Sequence, residues 1–224
     1  MISDNIEDVK RQVVMACERS GRSPDSVTII AVTKTVPPDR IDEAVASGLT
    51  LLGENRVQEA RSKVALVHGN VQWHLVGHLQ SNKAKDAVKL FSLIHSVDSI
   101  HLAEAIDKEA QKIGKVQDIL VQVNVSGEES KFGISPDEVR PLLTAIERLK
   151  NLRVTGFMTV APEVENPEDV RAYFRRLREL GDDVVKSLPE AVNLSMGMTN
   201  DFEVAIEEGA TLVRLGRVIF GDRG

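Results

Sequence analysis

"NLSMGMTNDFEVAIEEGATLVRLGRVIFG", residues 193–221, reads as strand, loop, helix, strand: apolar runs at 191–195 and 211–215 flank FEVAIEEGA, which has helical patterning. The same alternation recurs upstream. Short runs rich in Val, Ile and Leu at 27–33, 50–53, 71–76, 92–96, 118–124 and 152–158 bring the strand candidates to eight. Between them lie charged, helix-patterned stretches with recognisable starts. Ser135-Pro136-Asp137-Glu138 supplies an N-cap, a first-turn proline and a glutamate three residues on, and Asn166-Pro167-Glu168-Asp169 repeats the logic. The first twenty residues form a further amphipathic helix, with Ile2, Ile6, Val9, Val13 and Cys17 on one face and Gly21 as its stop. About 200 residues then remain for eight units of roughly 25 each, the size of a compact barrel repeat. The expected fold is α/β: a single (β/α)8 TIM barrel with an additional N-terminal helix, one domain over residues 1–224. An open doubly wound sheet is the structural alternative.

Composition narrows the function. A 42% hydrophobic chain of 224 residues can bury a large core, while a net charge of −6 lacks the positive footprint that nucleic acid or an anionic membrane requires. Cys17 is the only cysteine, so no disulfide framework or cysteine-rich metal site can form within the chain. The start of the sequence carries Asp4, Glu7, Asp8, Lys10 and Arg11 where a signal peptide would have an apolar core, and no apolar run approaches membrane-spanning length. The expected location is the cytoplasm, with a small molecule or another protein as partner.

In a barrel, chemistry belongs at the carboxyl ends of the strands. Lys34 stands there in AVTKTVPP (31–38), at the exit of the first apolar run. A partly desolvated lysine offers a free amine for attack on a carbonyl, and a lysine snorkelling to solvent is the plainer alternative. Ser195 and Gly197 follow the seventh strand where a helix starts, and Gly216 directly follows the eighth, the region where barrels often hold phosphate. Each glycine alone reads first as an ordinary turn; their joint position after consecutive strands is what points to anion binding. Arg214, between Val213 and Leu215, needs an acid or a ligand atom as partner, since guanidinium keeps its proton on burial. His74 and His78 are four apart but separated by Gly77 without a carboxylate set, so no metal site is read there; both are expected to bond to the main chain.

A lysine able to form a Schiff base, a phosphate cradle and a nearby cation together suggest a phosphorylated aldehyde, and pyridoxal 5′-phosphate meets that description. AVTKTVPP, LLGENRVQEA (51–60), WHLVGHLQSNK (73–83), VQVNVSGEESKFGI (121–134), GFMTV (156–160), LSMGMTND (194–201) and VRLGRVIFGDR (213–223) run nearly end to end along the chain. Together they carry a resemblance to the pyridoxal phosphate homeostasis protein family. It implies a barrel like that of alanine racemase, with Lys34 as the Schiff-base lysine and Asn55 beside the cofactor. Ser195, Gly197, Gly216 and Arg217 would hold the phosphate, and Arg214 would face the pyridine nitrogen. Arg217 stands where many relatives have threonine, Leu75 where phenylalanine or methionine is commoner, and His78 where some have proline.

The resemblance implies a non-enzymatic carrier that buffers pyridoxal 5′-phosphate and delivers it to recipient apoenzymes. The residues given leave no room for the second β-domain of alanine racemases, so a monomer without a second catalytic base is expected. An amino-acid racemase using Lys34, and a cofactor-free Schiff-base aldolase, are the enzymatic alternatives. No role is read for Lys131.

Overall fold

A computed structural model describes residues 1–221; Asp222 and Arg223, the end of the last motif, lie outside the described residues. Helix α1 (Ile2–Arg19) buries Ile2, Ile6, Val9, Val13, Ala16 and Cys17, the face expected from their spacing, and Gly21 follows it in the left-handed region. The chain then alternates. Strands β1 (Thr28–Val32), β2 (Leu51–Glu54), β3 (Gln72–Leu75) and β4 (Leu93–Val97) are followed by helices α2 (Pro38–Ala46), α3 (Val57–Lys63), α4 (Ala84–Leu90) and α5 (Ile100–Lys112). Strands β5 (Gln117–Gln122), β6 (Leu152–Met158), β7 (Asn193–Ser195) and β8 (Leu212–Leu215) are followed by α6 (Val139–Ile146), α7 (Arg171–Val184), α8 (Phe202–Glu207) and the short α9 (Arg217–Phe220). All neighbouring strands pair in parallel, and β8 closes on β1 through the register Ile29 to Val213 and Ile30 to Arg214. The closed barrel excludes the open sheet.

All eight expected strands are present, with some ends trimmed. The fifth stops at Gln122 because Asn124 turns the chain: its Oδ1 accepts hydrogen bonds from Ser126 Oγ and the Gly127 N–H, each at 3.0 Å. The Ser135 capping box forms, Glu138 Oε2 accepting from the Ser135 N–H at 2.9 Å, and heads a 3₁₀ turn that runs into α6. Asn166 likewise accepts from the Glu168 N–H.

Two apolar layers result from strand alternation. Val213, Leu215, Phe157 and Leu194 point outward into the large core beneath the helices, whereas Ile30, Leu93, Leu120, Met158 and Leu212 pack inside the barrel. That parity decides the site. Two residues beyond Leu93 and Leu212 come His95 and Arg214, so the inward positions turn from apolar to polar toward the carboxyl ends of the strands.

Candidate functional site

Beyond this inner core a cavity of about 1490 Å³ opens at the carboxyl ends of the strands, with Lys34, Asn55, Arg214, Gly216 and Arg217 on its wall. Lys34 is half-buried in a tight turn after β1. The Val36 N–H donates to the Thr33 carbonyl at 2.9 Å, Thr35 sits at φ +64°, and its hydroxyl donates to the Lys34 carbonyl at 2.6 Å. A left-handed β-branched residue costs of order 1–3 kcal/mol, so the turn around Lys34 is held in place by its surroundings.

Asn55 directly follows β2. The backbone of Gly77 lies against it so closely that a Cβ there would sit 2.3 Å from the Asn55 carbonyl oxygen. Gly197, at φ +91°, has equally little room: a Cβ would fall 2.6 Å from that of Ala205. Gly197 and Ser195 stand behind the wall, in the segment that brings Met198, Thr199, Asn200 and Asp201 onto it. Gly216 passes over β1, where a Cβ would be 3.3 Å from the Val32 carbonyl oxygen.

Arg214 answers the question its position raised. Its Nη1 donates to Ser195 Oγ at 2.6 Å and its Nη2 to the Thr159 carbonyl at 2.8 Å, so its hydrogen-bond partners are neutral instead of the glutamate one would expect of a structural ion pair. Burial lowers it to about 10, with Asp201 opposing, so it remains a cation at neutral pH. Ser195 Oγ, which accepts from the guanidinium, also pairs with His95 Nδ1 at 2.9 Å, and His95 Nε2 pairs with His74 Nδ1 at 3.2 Å. Both imidazoles are neutral: burial holds His95 well below its ordinary value and His74 at about 4. The result is a buried hydrogen-bonded chain, Arg214–Ser195–His95–His74, under the cavity floor.

This chain bears on two expectations. The Ser195 hydroxyl is fully buried and committed to Arg214 and His95 instead of facing the cavity. His74 bonds to another side chain, not to the main chain, while exposed His78 stacks on Phe132 with ring centres 4.0 Å apart and lies 3.8 Å from Asp98. His95 was not singled out from the sequence, although a histidine at an inward position of an apolar strand is the signal that would have found it. Glu54 enters the sequence reading only within the LLGENRVQEA motif and Lys63 not at all, yet they form a buried ion pair beside Thr33.

Residues 9–224 match the family described as alanine racemase, N-terminal domain. A pyridoxal phosphate homeostasis protein of Aquifex aeolicus (strain VF5) is 47% identical over 222 residues, covering 98% of this chain and 97% of that one. The chain belongs to the pyridoxal phosphate homeostasis protein family. A solved member, PipY of Synechococcus elongatus PCC7942 with PLP bound, superposes with a TM-score of 0.86 at 36% identity, covering 99% of this chain and 100% of PipY. Alanine racemase from Clostridium difficile 630 shares the fold at a TM-score of 0.74 and 13% identity; 98% of this chain covers 56% of that enzyme. The family's barrel is thus found here over almost the whole chain, with Lys34 at the mouth.

Proposed function

We propose that this family member binds pyridoxal 5′-phosphate at the barrel mouth with Lys34 as covalent anchor, and stores and hands on the cofactor without a turnover reaction of its own. The observation that carries the reading is the convergence on one cavity of a lysine after β1, a buried guanidinium in β8 and the Gly216-Arg217 turn after it. These residues fit the group: an amine for the aldehyde, a donor-only cation for the ring, and backbone beside an arginine for the phosphate. When bound, pyridoxal 5′-phosphate supplies an aldehyde that condenses with a lysine amine and releases water.

Asn55 would lie beside the ring, while Gly197 and the turn at Gly216-Arg217 would hold the phosphate. Ser195 is assigned to orienting Arg214 in place of the phosphate contact that the resemblance implied. Arg214 would face the ring nitrogen and, as a cation with no proton to accept, leave it unprotonated; this weakens the ring as an electron sink and suits a carrier better than a racemase. The cavity exceeds the range of roughly 300–1000 Å³ typical of small-molecule sites, leaving space for an incoming amine to displace Lys34. Relatives named for pyridoxal phosphate homeostasis and a PLP-bound PipY support the same reading. Recipient apoenzymes as partners, a monomeric state and a cytoplasmic location belong to the proposal; among the described residues, no helix is long and apolar enough to cross a membrane.

The test is to load the protein with cofactor, assay a panel of amino acids by chiral chromatography and follow reactivation of a pyridoxal-phosphate apoenzyme. The proposal expects reactivation and no inversion. Inversion at about 1 s⁻¹ or faster would make the protein a racemase.

A further inference from the structure

Beneath the Lys34 turn lies the buried ion pair that the cofactor reading leaves unused. Lys63 Nζ donates to Glu54 Oε1 at 2.7 Å and to the Thr33 carbonyl at 2.7 Å, while the Thr33 hydroxyl donates to the same Glu54 oxygen at 2.6 Å. That carbonyl belongs to the peptide bond joining Thr33 to Lys34, and Glu54 is bonded directly to Asn55. One ammonium and one carboxylate therefore tie together the two stretches of backbone that deliver Lys34 and Asn55 to the cavity.

Stability alone does not account for this arrangement. Thr33 and Glu54 are fully buried and Lys63 nearly so, the Oε2 atoms of Glu54 and Glu59 are both buried without a donor, and burial together with the neighbouring Glu59 carboxyl pushes Glu54 up. Buried ion pairs are often matched or bettered by apolar residues of similar volume, and two carboxyls set side by side away from water add a further cost. The pair sits at the turn that holds Thr35 in the left-handed region, and strain of that kind persists only where neighbouring structure enforces it.

We infer that Lys63 and Glu54 are positioning residues for Lys34: the Lys63 ammonium pins the Thr33 carbonyl, holds the turn closed and sets the presentation of the Lys34 amine to the cavity. The inference rests on the reading of Lys34 as the anchor. Its test compares two ligands, pyridoxal 5′-phosphate and pyridoxine 5′-phosphate, whose alcohol cannot condense with an amine. In Lys63→Met, the borohydride-fixed link at Lys34 forms about tenfold or more slowly, the scale of a misplaced reacting group, while pyridoxine 5′-phosphate binds within about twofold of wild type. Lys63→Arg restores most of the rate. In ligand-free protein, methylation of Lys34 by formaldehyde and cyanoborohydride, mapped by mass spectrometry, slows in Lys63→Met as well.

An unchanged rate of link formation in Lys63→Met, or equal losses for both ligands, would overturn the inference. Should Lys63→Met fail to fold, Lys63→Met combined with Glu54→Leu, which removes both buried charges together and with them the bond to the Thr33 carbonyl, must show the same split between ligands, and its absence is equally fatal. If wild-type Lys34 is never labelled by pyridoxal 5′-phosphate, the cofactor assignment fails instead, and the methylation rates still report on the positioning.

Discussion

His74 and His95 show what burial does to a titratable group: desolvation lowers both, with His74 and Arg214 adding to the effect at His95 and Asp118 opposing it at His74. A histidine held at about 4 in the fold and near 6.5 when unfolded binds its proton in the unfolded chain first. The stability it contributes is complete above pH 6.5 and is lost as pH falls from there toward 4. For His74 that loss is of order 3 kcal/mol. Buried Glu54 and Asp201 and half-buried Asp98, all raised by desolvation, act in the opposite sense at the acid end, so the quantity to measure is a difference. Urea denaturation at several pH values should show a shallower loss between pH 6.5 and 4 in His74→Gln than in wild type; parallel curves would mean that His74 is protonated within the fold. Single residues of the site were unevenly legible in the sequence. Lys34 and Arg214 stand out because each interrupts an apolar run. The bond from His95 to Ser195 joins residues 100 apart, and such pairings exist only once the barrel has closed.

At the scale of elements, strand ends place the chemistry and close backbone contacts hold those ends. Gly77→Ala would drive a methyl into the Asn55 carbonyl 2.3 Å away and push apart the ends of β2 and β3. The expected cost is about 1–3 kcal/mol in urea denaturation, with weaker binding of pyridoxal 5′-phosphate by titration, because Asn55 moves with the strand. Helix α1 makes a different contribution. Ile6→Ala, at a position only 1% exposed against the barrel, should cost about 2–5 kcal/mol in the same assay and leave the cofactor affinity of the folded protein unchanged. The strands were legible because each is short, β-branched and bounded by turn residues, and the caps at Ser135 and Asn166 because their spacing is local. The Glu54–Lys63 pair was not, since a lysine at the end of an amphipathic helix normally faces water. Only the packing of α3 against β2 turns Lys63 inward, where it is 8% exposed.

The whole molecule is a ring whose two ends meet. Pairing of β1 with β8 brings Lys34 and Arg214 to one mouth from opposite ends of the chain. Asn5 in α1 donates to the Ile219 carbonyl at 2.9 Å, and Arg40 in α2 to the Phe220 carbonyl at 2.6 Å, fastening the last described turn to the first elements. Unfolding should therefore be one cooperative transition, with far-ultraviolet circular dichroism and the fluorescence of buried Trp73 coinciding. Cofactor at one hundred times its Kd should stabilise the fold by about 2.7 kcal/mol. The central claim is that Lys34 anchors the cofactor, and its most direct test is borohydride reduction of the pyridoxal 5′-phosphate-loaded protein followed by peptide mass mapping, beside Lys34→Ala. The expected result is a visible absorption band that reduction abolishes and a pyridoxyl mass on Lys34, with neither in the variant. A label on another lysine, or identical spectra from wild type and variant, would contradict it.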